Sequence, residues 1–531
     1  MEPQAQPQSQ QSGGRKAGQK SCQGEFHAFF AVSLSLLMCT VCVLCAPSYN
    51  RVPFVGTFPG GDSGDGGPAV TSQILPNSFS IDPLTNEVYI LQKAVSGSGC
   101  RIRKVGSDGV ISSVTAGPPC VQDPGPFPKA PSALSLVDPL ISTFDALGNL
   151  FVFDQLSSSS YALYKINFLT NTVNILGTIA RTSIRSCQAS HDGSVLFYYG
   201  DTDIWQRTIS TGNEISLANA NPSYLTLSPD GLFLYFQSFG SPGFIRRLEI
   251  ANPSNNEQIA GVSGTVNPTA VDQPLSTAVL PQLDMAAFDA KGNFVSTSFS
   301  SRRLYFLDTV AQLFSYIGGT GSQPSNLADA SFSGLATSAD VSAPRVFASR
   351  FTGEFYTNSQ RTTVSYYLIE KLVPTAPFTV PDLSLSLSSS TIPSTSGSSS
   401  VFTVTRSNGD NPVQWPMGVV ITISGTATLN THFTVSPAFQ SSTGIVVIPA
   451  GQSSVDITVT ATGSSQEGDT IILTVTSSPI FNLVQSSQTL TFSGGSVEGD
   501  PHISGVLGQN FDYQGMPKRT YCLLSDTMLQ V

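Results

Sequence analysis

Histidines are the side chains best suited to catalytic and metal chemistry near neutral pH, and this chain has few of them. Its 531 residues contain four, His27, His191, His432 and His502. Catalytic zinc sites commonly need three converging ligands, which four scattered histidines do not readily supply. The sequence therefore offers no catalytic constellation and no assigned metal centre, and we predict that the protein is not an enzyme.

Recurring aspartates are the second set of candidate residues. They are Asp82, Asp145, Asp192, Asp230 and Asp289. An aspartate in a turn accepts hydrogen bonds from its own backbone two residues on, whereas calcium needs several oxygen ligands at one point. One aspartate per repeat does not bring them to one point, so we predict turn formation rather than a calcium ring.

The elements that carry these aspartates recur six times between residues 51 and 375. Each copy has an apolar run, a turn, a second apolar run and a strand of basic and apolar residues, as in FSIDPLTNEVYIL (79–91) followed by RIRKV (101–105). The alternation of apolar and polar residues is typical of half-buried strands. Strands repeated radially leave few exposed edges. The sequence predicts an all-β, six-bladed β-propeller, with seven blades as the alternative.

The first copy resembles the NHL-repeat propeller family. The resemblance rests on the Gly-Asp-Gly-Gly-Pro-Ala run at 64–69, the Asp-turn strand and the Arg-Ile-Arg-Lys-Val strand at 101–105, and the fifth copy matches at 288–293. The middle copies lack the glycine-rich loop. The family includes lyases and lactonases with zinc or calcium in the channel, so the resemblance implies an alternative function as a propeller hydrolase or lyase. The family's enzymatic histidines have no counterpart in this sequence.

A proline-rich linker precedes a second β region at 380–494. About seven short alternating strands over this length predict an immunoglobulin-like β-sandwich. The segment resembles the Calx-β family in the motifs Thr405-Arg406-Ser407, Gly425-Thr426-Ala427, Ile448-Pro449-Ala450-Gly451 and Glu467-Gly468-Asp469.

Calcium is the possible cofactor that this resemblance implies. The Calx-β family binds calcium through acids clustered at one end of the sandwich. The matching positions here are Asp410, Glu467 and Asp469, while His432 and Thr470 replace acids that the family usually has. The alternative is that the three acids are solvated turn residues.

The C-terminal segment, 498–531, resembles the start of a von Willebrand factor type D domain. The match rests on Gly499, Asp500, Pro501 and His502, with Gly508–Gly515 and Tyr521-Cys522-Leu523 at the family's spacing. The family's module is several times longer than this segment. In some relatives the Asp–Pro bond of this motif cleaves itself. The alternative is a turn fixed by Pro501 with His502 packed beside it.

Cys100 and Cys120 are the favoured disulfide pair. They lie 20 residues apart across a predicted strand–turn–strand. A translocated chain permits disulfides, whereas cytosolic thiols are kept reduced. Two unpaired thiols are the alternative.

The N-terminal sequence predicts localisation to a membrane. Residues 1–25 are polar and read as a disordered cytoplasmic tail, and 26–48 form an apolar stretch of membrane-spanning length. Arg15, Lys16 and Lys20 precede that stretch, which predicts a cytoplasmic N-terminus and a translocated remainder. A single-pass signal anchor in the cell membrane is the first interpretation, and a cleaved signal peptide on a secreted protein is the second.

Charge and composition narrow the function. The formal net charge is −10 and the chain has no basic stripe, so we expect no nucleic-acid partner. Asn221, Asn252 and Asn267 precede Pro, and no other Asn has Ser or Thr two residues on, so no N-linked glycan is expected. We expect an extracellular adhesion or recognition protein that binds protein or glycan ligands through propeller loops. A structural cell-wall or matrix component is a further alternative.

Overall fold

Alternating apolar and polar residues form antiparallel strands that pack as blades around a central channel. The computed structural model describes residues 47–57, 60–93, 99–238, 243–265, 272–298, 301, 303–318, 334–335, 345–361, 366–407, 409–410, 413–494, 502–504, 510–512, 525–526 and 529–530. Within these ranges the chain is almost entirely β, and the helical turns are 3-10 turns at Ala69–Thr71 and Pro131–Ala133. The predicted fold class is confirmed.

Six sheets form the blades, one for each sequence copy. The N-terminal strand is β1 (Tyr49–Val55). Blade 1 contains β2 (Pro76–Ile81), β3 (Val88–Gln92), β4 (Ile102–Val105) and β5 (Ile111–Ser113). Blade 2 contains β6 (Pro139–Phe144), β7 (Asn149–Ser157), β8 (Ser160–Asn167) and β9 (Thr172–Ala180). Blade 3 contains β10 (Ile184–Ala189), β11 (Val195–Gly200), β12 (Asp203–Thr208) and β13 (Glu214–Asn219).

The last three blades follow the same order, from the innermost strand outwards. Blade 4 contains β14 (Pro222–Leu227), β15 (Phe233–Ser238), β16 (Ile245–Glu249) and β17 (Asn256–Ala260). Blade 5 contains a short outer strand, β18 (Gln273–Pro274), then β19 (Met285–Phe288), β20 (Phe294–Ser298), β21 (Arg303–Asp308) and β22 (Leu313–Gly318). Blade 6 contains β23 (Gly334–Leu335), β24 (Arg345–Ala348), β25 (Phe355–Arg361) and β26 (Tyr366–Pro374), with β1 between β23 and β26.

The N-terminal strand closes the ring by completing the last blade. β1 pairs antiparallel with β26, and Arg51 lies opposite Leu372 in the register. The Arg51 guanidinium forms an ion pair with the carboxylate of Glu370, which is 1% exposed. Closure therefore joins segments more than 300 residues apart in the chain, which the repeat pattern did not predict.

The sandwich has two five-stranded sheets. Its strands are β27 (Asp382–Leu387), β28 (Thr391–Pro393), β29 (Ser399–Ser407), β30 (Met417–Ser424), β31 (Phe433–Ser436), β32 (Thr443–Ile448), β33 (Ser454–Ala461), β34 (Thr470–Val475), β35 (Asn482–Gln485) and β36 (Ser487–Ser493). Apolar side chains of both sheets, such as Phe402 and Leu473, are fully buried between them. The predicted count of about seven strands is lower because it joined β27 to β28 and β32 to β33, and because it left out β35, which has only four residues.

Four short strands follow the sandwich. They are β37 (His502–Ser504), β38 (Asn510–Asp512), β39 (Ser525–Asp526) and β40 (Leu529–Gln530). β37 pairs with β38, and β39 with β40.

The predicted membrane segment lies outside the described residues up to position 46. Among the residues described, no helix is both long and apolar enough to span a membrane. The predicted cytoplasmic tail at 1–25 also lies outside them.

Candidate functional site: the propeller channel and its sandwich plug

The innermost strand of each blade lines the central channel. The channel holds a cavity of about 80 Å³, enough for several water molecules. Its polar wall includes Ser80, Ser142, Gln188 and Thr226, which belong to four successive blades. The Ser80 and Ser142 hydroxyls hydrogen-bond to each other at 2.7 Å between the inner strands β2 and β6. Hydroxyl and amide groups of this kind bind water and polar ligands without charge.

Aspartates end three of the inner strands, at one mouth of the channel. The carboxylate of Asp82 accepts the backbone N–H of Leu84 at 2.9 Å, and that of Asp289 accepts the N–H of Lys291 at 2.9 Å. Asp145 does the same for the N–H of Leu147 at 2.9 Å. These bonds stabilise the turn between the first and second strands of each blade, as predicted.

Blades 3 and 4 form the same turn with a shifted pattern. Ser190 and Ser228 end the inner strands, and Asp192 and Asp230 lie two residues later. The Ser228 hydroxyl donates to Asp230 at 2.5 Å, and the Asp230 carboxylate accepts the N–H of Leu232 at 3.0 Å. The five aspartates therefore occupy two different turn positions.

Burial changes the titration of the turn aspartates at the mouth. It raises the pKa of Asp82 and of Asp289 to about 6, against the hydrogen bonds that each carboxylate accepts. Burial also raises the pKa of Asp145. These carboxyls are costly to ionise because the chain around them excludes water.

A basic side chain, Arg350, lies at the same mouth in the turn after β24. Burial lowers its pKa to about 10, while the charges of Asp145 and Asp82 oppose that shift. One guanidinium nitrogen donates to the carbonyl of Phe144 at 3.4 Å. The half-buried guanidinium supplies the positive charge that the two nearby carboxyls face.

The indole of Trp415 closes this mouth. Trp415 belongs to the sandwich, lies just before β30 and is 5% exposed. Its Nε1–H donates to the carbonyl of Asp289 at 2.8 Å. The Arg350 guanidinium lies 4.9 Å from the indole centroid, and the His191 ring meets it edge-on at 6.1 Å.

His191 is half-buried at this contact. Its Nε2–H donates to the carbonyl of Pro229 at 3.0 Å. Burial first, and the nearby Arg350 charge second, lower the pKa of His191 to about 4. The imidazole is therefore neutral at physiological pH and packs as an apolar ring.

Other sandwich residues extend the contact around the mouth. The Ser478 hydroxyl donates to the carbonyl of Leu84 at 2.6 Å. Gly418 lies so close to blades 1 and 2 that an added Cβ would stand 2.4 Å from a methyl carbon of Leu84 and 2.5 Å from the carbonyl oxygen of Ala146. One hydrophobic cluster runs from blade 5 into the sandwich through Phe288, Trp415 and Met417.

The opposite mouth carries the long connections between blades. Their described parts are 56–57, 60–75, 114–138, 261–265 and 272–284, whereas blades 2 to 3 and 3 to 4 are joined by only two or three residues. We call this side the open face. The predicted disulfide lies here: Cys100 and Cys120 are bonded, with their Cα atoms 5.5 Å apart, and join the loop after β3 to the connection 114–138.

The connection 114–138 is held at a second point. Buried Asp123 accepts the N–H of Gly125 at 2.8 Å and the N–H of Ser135 at 2.9 Å, and forms an ion pair with Lys129. Burial alone would raise the pKa of Asp123, but hydrogen bonds from Lys129, Ser135 and Gly125 outweigh it and lower that pKa. The connection is thus fixed by its own side chains.

The glycine-rich run at 64–69 has a structural role. It lies along β5, where the N–H of Gly66 donates to the carbonyl of Ile111 at 2.8 Å. Asp65 accepts Nε–H of the fully buried Arg103 at 2.7 Å, and Asp62 accepts Nε–H of Arg101 at 2.9 Å. The two motifs that carry the family resemblance therefore bind each other.

The predicted calcium ligands lie at opposite ends of the sandwich. Asp410 is at the end facing the propeller, where its carboxylate accepts the N–H of Thr379 at 2.7 Å and lies 4.0 Å from the Lys291 ammonium. Glu467 and Asp469 lie in the turn between β33 and β34, at the far end. The structure does not bring the three acids together, because β29 and β30 run the length of the sandwich between them. Calcium at the Glu467–Asp469 end stays a prediction.

Arg406 and His432, two further motif residues of the sandwich, have structural partners. The buried Arg406 guanidinium donates to the carbonyls of Trp415 at 2.6 Å and Gln452 at 2.8 Å, and burial lowers its pKa to about 10. His432 Nδ1 accepts the N–H of Thr428 at 3.0 Å. Arg406 thus fixes the loop that carries Trp415, the side chain that closes the channel mouth.

The predicted self-cleavage motif falls mainly outside the described residues. Gly499, Asp500 and Pro501 lie outside them. The backbone of His502 pairs with Asp512 in the β37–β38 ladder.

A channel metal, which the family resemblance raises, does not fit the residues at this site. The turn carboxylates already accept backbone hydrogen bonds, and the cationic Arg350 stands beside Asp82 and Asp145. In the described part of the chain, no three His, Cys, Asp or Glu side chains are grouped as metal ligands would be.

Sequence reasoning missed Trp415 and Arg350. The available signals were weak: Trp415 is one of two tryptophans in the chain and precedes a proline in a loop between strands. Arg350 directly follows the residue that ends the inner strand, a position where the other copies have Pro or Ala, except for His191 in the third.

No family model and no curated protein matches the chain. Its fold is similar to that of a protein of unknown function from Bacteroides thetaiotaomicron (13% identity over 61% of this chain and 76% of that one, TM-score 0.46). It is also similar to an auxiliary nutrient binding protein from the same organism (12%, 61% and 76%, TM-score 0.43) and to a gluconolactonase from Xanthomonas campestris (11%, 57% and 86%, TM-score 0.35). What those proteins bind or catalyse does not follow for this chain at such scores. The chain's own sheets define its class: an all-β protein with a six-bladed propeller and a docked β-sandwich.

Proposed function

We propose that this protein is an extracellular recognition protein that binds a protein or glycan ligand through the open face of its propeller. The observation that carries the proposal is the asymmetry of the two mouths. Trp415 and the sandwich occupy one, and the long connections lie at the other. Loops on a rigid scaffold are the usual carriers of recognition.

The connections are suited to binding because they are held in place. The Cys100–Cys120 bond and the Asp123 hydrogen bonds fix the connection 114–138 at two points. A loop ordered before binding loses less conformational entropy when a ligand arrives, so more of the contact energy contributes to affinity.

The disulfide also supports an extracellular location for the propeller. Disulfides persist in oxidising compartments and are rare in the cytosol. We propose that 26–48 anchors the chain in the cell membrane with the propeller outside. A secreted form, cleaved near the end of that segment, is the alternative.

We also propose the finer module assignments. The region 380–494 would be a Calx-β-like sandwich, supported by the Arg406 contacts at its motif position. The region 498–531 would be the start of a von Willebrand factor type D module, on its sequence motif.

The test compares two exposed valines. Val121 in the connection 114–138 is 47% exposed, and Val484 on the sandwich is 68% exposed. Purified protein is applied to arrays of glycans and extracellular-matrix proteins. Val121→Arg should weaken the binding that the wild type shows, and Val484→Arg should leave it unchanged.

The alternative function, that of an enzyme, is tested by metal analysis and a lactone hydrolysis assay on the same purified protein. One zinc or calcium ion per chain together with lactone turnover would overturn the proposal. So would equal effects of the two arginine variants on array binding.

A further inference from the structure

A cleft of about 360 Å³ lies between blades 4 and 5, away from the channel. This volume is within the range of small-molecule sites, about 300–1,000 Å³. We call it the blade 4–5 cleft. The residues that define it are Tyr235, Arg247 and Glu257 of blade 4 and Phe294, Leu307 and Thr309 of blade 5.

One position beside the cleft has a short residue in blade 5 where blades 2, 3 and 4 have a large apolar one. In blades 2, 3 and 4, the residue directly after the third strand is large and apolar and packs into the gap between blades: Phe168, Ile209 and Ile250. The ring of Phe168, for example, lies 4.8 Å from that of Tyr89. Blade 1 has Gly106 at this position. Thr309 occupies this position after β21, and its short side chain leaves the space empty of protein.

The blade 4 wall is polar and has compensated charge. Tyr235 pairs with Arg247 across β15 and β16, and Arg247 pairs with Glu257 across β16 and β17, so the three side chains form one row. The Arg247 guanidinium and the Glu257 carboxylate form an ion pair, and both remain partly exposed. The row presents donors and acceptors with no net charge, which favours a neutral polar ligand over an ion.

The blade 5 wall is apolar. Phe294 and Leu307 are buried and pair across β20 and β21. The Tyr235 ring lies 6.3 Å from that of Phe294 and contributes aromatic surface at the base of the cleft. At the rim, Gln258 and Gln312 add amide groups.

We infer that the blade 4–5 cleft binds a neutral sugar residue. A pyranose ring has one face of C–H groups and a rim of hydroxyls. The first matches the half-buried ring of Tyr235, and the second matches the donors and acceptors of Arg247 and Glu257. This site is separate from the open face, so the two proposals succeed or fail independently.

The test titrates four methyl glycosides, those of glucose, galactose, mannose and N-acetylglucosamine, into the purified protein, with saturation-transfer NMR and calorimetry as readouts. The wild type should bind at least one of them in the millimolar range. Thr309→Phe should fill the cleft as Phe168 fills its own gap, and weaken binding by about tenfold or more. Thr211→Phe, the same change in an exposed turn of blade 3, is the matched control and should bind as the wild type does.

A second variant keeps the inference falsifiable if Thr309→Phe fails to fold. Glu257→Ala removes an exposed carboxylate and should weaken binding with little change in the unfolding temperature. The inference is overturned if none of the four glycosides binds the wild type. It is equally overturned if a folded Thr309→Phe, or Glu257→Ala, binds as the wild type does. Open-face binding on the arrays should not change in either variant, which separates this result from the proposed function.

Discussion

Replacing Trp415 by alanine should uncouple the sandwich from the propeller. The indole is 5% exposed and donates one hydrogen bond to the carbonyl of Asp289. Truncating a buried tryptophan to alanine typically costs about 3–5 kcal/mol, because packing is lost and a cavity remains. The loss falls in part on the contact between the two domains, since the indole donates to the carbonyl of Asp289 and lies against Arg350 and His191.

Calorimetry can distinguish this uncoupling from general destabilisation. Because one hydrophobic cluster joins blade 5 to the sandwich, the wild type should unfold in one cooperative transition. Trp415→Ala should give two transitions, one for each domain. Trp205→Ala is the matched control: Trp205 lies in blade 3, donates to the carbonyl of Gly200 at 3.1 Å, and has the Arg181 guanidinium 4.0 Å from its ring.

The control should lower the unfolding temperature without dividing the transition. The control also leaves Trp415 as the single tryptophan of the chain, so tryptophan fluorescence then reports on the contact between the sandwich and the channel mouth alone. A Trp415→Ala protein that still unfolds in one transition, at the wild-type temperature, would refute the argument that the indole couples the domains.

Three further predictions follow from individual contacts. Replacing Cys100 and Cys120 together by serine should reduce the free energy of unfolding by about 3 kcal/mol, by the chain-entropy estimate for a loop of roughly 20 residues. Equal urea midpoints for the wild type and the double serine variant would contradict this. Burial raises the pKa of Asp289 to about 6, so the stability that this carboxyl contributes is fully present below its unfolded pKa of about 4 and is lost as pH rises through 6. In urea unfolding, the Asp289→Asn protein should therefore lose less stability than the wild type between pH 4 and 7. An identical pH profile for the two proteins would show that Asp289 does not titrate in this range. Glu370→Gln leaves Arg51 without its buried counter-charge and should cost about 3 kcal/mol or more, detected as a lower unfolding temperature; a change below about 1 kcal/mol would mean that the pair does not hold the ring closed.

Much of the local architecture could be predicted because its signals are local. The turn aspartates accept hydrogen bonds from backbone groups two residues away, so the turn role of Asp82 and Asp145 could be predicted from a few neighbouring residues. The Cys100–Cys120 pair was predictable for the same reason, since one short hairpin, β4 and β5, separates the two thiols. Grouping Asp410 with Glu467 and Asp469 depended instead on which end of the sandwich each turn occupies.

By itself the sequence determined the longer strands and their turns and favoured six blades over seven, because a period of two residues and a turn residue act over a few positions. Only the tertiary structure decided which distant segments meet. β1 closes the ring against β26, Trp415 enters the channel mouth, and Thr309 leaves a cleft where Phe168 fills its counterpart. Each of these depends on the register and packing of strands far apart in the chain, and no short-range pattern of apolar and polar residues encodes them.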